Sequence, residues 1–218
     1  MRLRQIYVCG LISVLALSQL AHAADNADQW LSDMQHRWAV SQYQLAGTEQ
    51  IAGFESLISH ADAAVTAYPD AAELWVWKGI INSSYAGIID GSLSALKYAK
   101  TGKSDLEKAM AIDKTVLNGS AYTSLGALYY KVPGWPIGFG NDKKAETLLK
   151  KALELNPEGI DSNYFYGDYL LSKKRYQSAI TYLEKAAQAA PRAGREIADE
   201  ARHEEIALAI AQAQERLK

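Results

Sequence analysis

Side chains that do chemistry are thinly spread in this chain. It holds four histidines and one cysteine. His22 lies in an apolar N-terminal stretch, His36 and His60 precede residue 70, and His203 is near the end. A helical metal site needs ligands one turn apart on the same face. His203 has Ala207 at that distance, so no such pair forms. Gly102-Lys103-Ser104 has the close of a phosphate-cradling loop, but that loop wants glycine where Lys97 stands. Gly138-x-Gly140 lacks a third glycine and follows no strand pattern. No G-x-S-x-G occurs, and Cys9 lies in the N-terminal apolar run. The expectation is therefore a non-enzymatic chain with no metal and no cofactor. Catalysis would require carboxylates gathered by folding.

Composition agrees with a binding role. The chain has 218 residues, 23 Lys+Arg against 25 Asp+Glu, and a formal net charge of −2. Hydrophobic residues make up 49% and charged residues 22%, which is the balance of a soluble globular protein and excludes a disordered one. There is no basic excess to neutralise phosphates, so nucleic acid is not an expected partner. One cysteine cannot make a disulfide framework or a thiolate zinc site.

The N-terminus reads as an export signal. Arg2 and Arg4 precede an apolar run from Ile6 to Leu20, and Ala21-His22-Ala23 follows as a small-x-small cleavage pattern. The run is shorter than the roughly 20 residues of a spanning helix. Cys9 follows Val8, where a lipoprotein signal wants a small residue. Cleavage after Ala23 would remove the only cysteine and leave residues 24–218 as one soluble domain. A thiol-free exported chain suits an oxidising compartment, here the periplasm.

The remainder repeats itself. Ala145, Leu149, Ala152 and Pro157 recur 34 positions later as Ala179, Leu183, Ala186 and Pro191. Leu106-Glu-Lys-Ala109 echoes the same segment upstream, and Ala61 to Pro69 is a weaker copy. A second signature precedes these: Tyr122-x-x-Leu125-Gly126-x-x-Tyr129, with partial copies at Trp75-x-x-x-Gly79 and Tyr166-Gly167-x-x-Leu170. The small residues let helices approach closely, the large ones fill the grooves, and the prolines end each second helix.

These residues resemble the tetratricopeptide repeat, a helix–turn–helix unit of about 34 residues. The resemblance implies an all-α solenoid of about nine helices, stacked in antiparallel pairs. Repeats are expected at about 27–69, 72–113, 119–156 and 160–190, with the first degenerate. Its leading helix is placed from about Ala27 to Leu45 and its second at 53–67. Residues 195–217 form a capping helix, with Glu200 and Glu204 where packing residues would stand.

Two insertions break the period. Gly167 to Ala186 spans 19 residues, but Gly126 to Ala152 spans 26 and Gly79 to Ala109 spans 30. Both surpluses fall between the first and second helix of a repeat, on one edge of the array. One lies at residues 131–142, where two prolines and three glycines surround Trp135 and Phe139. Two readings stand for these aromatics: a local hydrophobic plug, or a lip that contacts a ligand. The other surplus runs from Tyr85 to Lys103 and suggests a short extra helix from Ser92 to Tyr98.

The export signal, degenerate repeats and Gly/Pro-rich loop before Asp142-Lys143-Lys144-Ala145 are similar to a narrower group. This group comprises the periplasmic repeat proteins related to the T component of tripartite ATP-independent transporters. The match covers roughly residues 70–190. It implies assistance to solute uptake, through trimer formation or a small ligand held in a cavity, and transfers no individual binding residue.

In such solenoids the first helix of each repeat lines the concave side. By position that selects Val76, Ile80 and Ser83, then Thr123, Ala127 and Tyr130, then Tyr164, Asp168 and Leu171. The candidate contacts are therefore Tyr85, Tyr130, Trp135, Phe139, Tyr164 and Asp168. The expected partner is a protein or peptide on the concave face, with a small ligand beneath the two insertions as the alternative. No membrane insertion is expected after the signal is cleaved.

Overall fold

A computed structural model describes the backbone from residue 8 onward and the side chains from residue 26 onward. The described residues form nine helices and no strand. The helices are α1 (Val8–Tyr43), α2 (Gly47–Ala67), α3 (Ala72–Ala86), α4 (Ser92–Ile112), α5 (Val116–Lys131), α6 (Asp142–Leu155), α7 (Ile160–Ser172), α8 (Tyr176–Ala187) and α9 (Glu196–Glu215). No helix among the described residues is long and apolar enough to cross a membrane. The export reading of residues 1–23 falls outside the described residues, except that the α1 backbone is helical from Val8.

Consecutive helices pair α1 with α2, α3 with α4, α5 with α6, and α7 with α8. One device recurs at three of these seams. A side chain at Gly79 would meet Leu106 Cγ at 2.6 Å, at Gly126 Leu149 Cγ at 2.6 Å, and at Gly167 Leu183 Cγ at 2.7 Å. Only a bare backbone lets the partner leucine reach the helix axis. Each of these leucines is fully buried, and such burial contributes about 1.5–3 kcal/mol per side chain. The alanines of the repeat, Ala109, Ala145, Ala152, Ala179 and Ala186, are also fully buried, where small size permits close approach.

Three boundaries differ from the sequence reading. Helix α1 begins before Ala27, and α2 begins at Gly47 rather than 53. The short helix expected at Ser92–Tyr98 is instead the start of α4, which runs unbroken through Gly102. Gly102, inside α4, marks a crossing: a Cβ there would lie 2.5 Å from Ser83 Oγ and 2.8 Å from the Gly79 carbonyl. Most of the eleven-residue surplus is thus spent lengthening α4. Within α5, Leu117, Asn118 and Gly119 adopt left-handed backbone angles, so the regular helix starts after Gly119, near the repeat boundary read from sequence.

The terminal helix is the main departure from a simple stack. Glu200 and Glu204 face solvent, as a cap requires. The opposite face carries Ala198, Arg202, Ile206 and Ala213, all buried. That face packs on α8 and α7 and reaches across to α1. Ala198 joins the core cluster of Trp38, Phe54 and Trp77 at the other end of the array. The terminal helix is thereby drawn back onto the first helix pair.

Candidate functional site

A half-open chamber of about 1040 Å³ lies on the inner side of the solenoid, with α9 along one margin. One wall is mainly apolar. It comes from Ile80 on α3, Leu96 and Ala99 on α4, Ala127 on α5, and Val132 and Ile137 beyond it. Both insertions therefore border this space. The opposite wall is charged and comes from the start of α7 and the segment leading into α9.

Asp161 organises the charged wall. The turn before it is locked by its neighbours. Ser162 donates to the Asn156 carbonyl at 2.6 Å, and Asn163 donates to the Pro157 and Gly159 carbonyls at 2.9 and 2.8 Å. Asp161 accepts from Arg192 at 2.6 Å and from Arg202 at 3.0 Å. Arg192 also donates through its Nε and its backbone amide to Asp199, at 2.8 Å each. Arg202 reaches Glu205 and lies over the rings of Tyr164 and Phe165, at 4.2 and 4.9 Å. The Asp161 side chain lies deep in the protein yet keeps 30% of its surface, because it faces the chamber. Burial alone would push its carboxyl up. The guanidiniums of Arg202, Arg192 and Arg195 outweigh that and hold it at about 2.

Arg195 is the odd member. Its guanidinium stacks 4.7 Å from the Trp77 ring. Among the described residues no carboxylate lies within ion-pair distance of it, and its buried Nε has no hydrogen-bond partner. Burial and the neighbouring Arg192 lower its pKa to about 10, which still leaves it cationic at neutral pH. The acids of this wall are engaged by Arg192 and Arg202. One half-buried cation with an unpartnered Nε thus borders the chamber.

The rim is a second polar group. Tyr130 donates to Asp168 at 2.5 Å, and Lys131 pairs with the same carboxylate at 2.9 Å. Burial, and then Asp168, push the Tyr130 hydroxyl well above its ordinary range. This cluster joins α5 to α7. It brings no metal-binding group of acids and histidines, and none exists among the described residues.

The six candidate contacts fall in separate places. Tyr164 stands on the charged wall. Tyr130 and Asp168 pair at the rim. Phe139 turns inward, edge-on to Tyr129 at 5.5 Å. Trp135, four residues earlier on the same loop, is 90% exposed. Tyr85 turns away from the chamber, donating to Glu55 on α2 at 2.9 Å and packing edge-on against Tyr98. Of the concave positions, Ile80, Ser83, Thr123, Ala127 and Tyr164 line the chamber, whereas Val76 is fully buried in the core.

Sequence reasoning missed Asp161, Arg192, Arg195 and Arg202. One signal was available. Ala198, Arg202 and Ile206 share a helical face, and an arginine on an apolar stripe asks for a buried partner.

No protein-family model matches the sequence, and no curated protein does. Solved structures do resemble the fold. A thermophilic tetratricopeptide-repeat protein of Thermus thermophilus, TTC0263, is 16% identical with a TM-score of 0.58, over 89% of this chain and 95% of that one. MamA is 20% identical with a TM-score of 0.45, over 76% and 89%. YrrB, described as a tetratricopeptide-repeat protein with an unusual peptide-binding site, is 17% identical with a TM-score of 0.41, over 77% and 80%. The chain has the all-α solenoid fold of such repeat proteins.

Proposed function

We propose that this chain is an exported, non-enzymatic binding module that holds a small ligand bearing one negative group in its inner chamber. The observation that carries the reading is the chamber itself, with Arg195 unpaired in its wall. Its volume lies at the upper end of small-molecule pockets, which span about 300–1,000 Å³. Polar groups confined to one wall orient a ligand, while the apolar wall contributes burial. Polar groups gathered on one wall and apolar surface on the other suit a compact ligand better than the extended peptide expected from the sequence. Export is supported by the charged start, apolar run and Ala21-His22-Ala23 of the N-terminus. A role beside a solute transporter, like that of the T-component proteins, fits a ligand-holding chamber in the periplasm.

The test is a thermal-shift screen of the exported chain against small organic anions and their uncharged analogues. It is paired with native mass spectrometry of freshly purified protein. Arg195→Gln, which removes the cation, should abolish the stabilisation by anionic hits. A bare-chain mass together with no stabilising solute, or anionic hits that survive Arg195→Gln, would end the reading.

A further inference from the structure

At the outer tip of the two insertions Leu93 and Trp135 lie outside the chamber and Ile137 stands at its edge. Five large hydrophobic side chains stand exposed among the described residues. Three belong to these insertions: Leu93 at 82%, Trp135 at 90% and Ile137 at 68%. They share one end of the molecule. The loop carrying Trp135 and Ile137 rests on α4, where a Cβ at Gly138 would lie 3.4 Å from Leu96. Leu93 is one turn before Leu96 on that helix. Lys97 and Lys100 continue the same exposed face of α4. Lys143 follows the loop, also exposed. None of these three lysines has an acidic partner among the described residues.

The loop is built to hold this pose. Gly140 donates to the Pro133 carbonyl at 2.9 Å, and Asn141 donates to the Tyr129 carbonyl at 2.7 Å. Ile137 and Gly138 both donate to the Gly134 carbonyl at 3.1 Å. Phe139 anchors the loop from within. Nothing in this framework needs Trp135, because its ring is almost wholly in water.

We propose that this tip docks on an anionic lipid bilayer surface, with Trp135, Ile137 and Leu93 entering the headgroup region and Lys97, Lys100 and Lys143 meeting the lipid charge. Three side chains make a patch much smaller than the ~800 Å² per partner of a stable protein interface. A bilayer asks for no matching shape. It asks for a Trp at the interface, aliphatic tips below it and lysines around it. The chain as a whole is slightly acidic, with a net charge of −2, whereas here three unpaired lysines stand against exposed Asp90, since Asp142 is taken by Lys173. Pro133 and Ile137 also border the chamber, which would bring its mouth to the membrane surface.

Bromolipid quenching tests this directly. The readout belongs to the tip, since no tryptophan precedes Trp30 and the other four are buried or half-buried. The full chain, with residues 1–23 as the cell leaves them, is mixed with vesicles of brominated phosphatidylglycerol. Expected is a blue shift and quenching of the Trp135 component. That component should disappear in Trp135→Leu and fall several-fold in the Leu93→Ser/Ile137→Ser double variant, which retains the fluorophore. Lys97→Ala and Lys100→Ala should each weaken vesicle affinity by about five-fold. Added salt should do the same. Brominated phosphatidylcholine should quench far less. No quenching, or quenching unchanged in Trp135→Leu, overturns the proposal. So does a Trp135 component that ignores vesicles but is shielded by a soluble envelope protein.

Discussion

The α5–α6 and α7–α8 pairs are the same unit built with and without an insertion. In α7–α8 the turn takes three residues, and Arg175 closes it by donating to the Leu170 carbonyl at 2.9 Å. It exposes only the polar Lys173, Lys174 and Arg175. In α5–α6 the connection takes residues 132–141. It seats Phe139 inside and holds Trp135 and Ile137 in water. The seams below are nearly identical, since Gly126 meets Leu149 as Gly167 meets Leu183. Packing therefore explains what the pairs share. It accounts for one of the three large apolar residues by which they differ. The rest of the loop is surplus to stability.

The sharpest test of the shared seam is to overfill it in both pairs. Gly126→Val and Gly167→Val force Cβ atoms within 2.6 and 2.7 Å of buried leucine carbons. Each should cost about 3 kcal/mol in urea unfolding. A large difference between them would mean that the pairs are not equivalent after all. Next in size is Phe139→Ala, which has no counterpart in α7–α8. Half-buried against Tyr129, it should cost about 2 kcal/mol by the same measurement. A neutral result would remove the anchor and leave the whole loop unexplained by packing. Smaller again is Tyr130→Phe, which removes the α5-to-α7 bond to Asp168. Lys131 still pairs with that carboxylate, so a loss of about 1 kcal/mol is expected.

The same contrast explains what the sequence revealed. The seam was legible because a helix that must approach closely has few residue types to choose from, and Gly126 and Leu149 recur as Gly167 and Leu183. The fold class follows from that local rule. Gly102 shows the limit of that rule. A glycine that admits a crossing helix and a glycine that ends a helix are the same letter, and only Ser83 and the Gly79 carbonyl beside it decide which. The chamber depended on something no local period carries. Arg195 meets Trp77 across more than a hundred residues because successive pairs curve until α9 returns to α1. Curvature accumulates from small rotations at every seam. The buried arginine on the α9 stripe was a readable hint of an acid partner, but not of which one.

Trp135→Ala is the smallest expected change in stability and the one that divides the two pairs most cleanly. A side chain 90% in water contributes almost no burial to the folded state. Its neighbours Pro136 and Gly134 hold the turn without it, and Phe139 keeps the loop seated. Its removal should change the unfolding free energy measured in urea by no more than about 0.5 kcal/mol, the range of ordinary surface substitutions. Vesicle affinity should nonetheless fall several-fold. A stability loss near that of Phe139→Ala would instead make the two aromatics one packing unit, and α5–α6 would be a longer version of α7–α8 with nothing added. A neutral stability with lost lipid contact would separate them: the inner aromatic serves the fold, and the outer one serves what the fold touches.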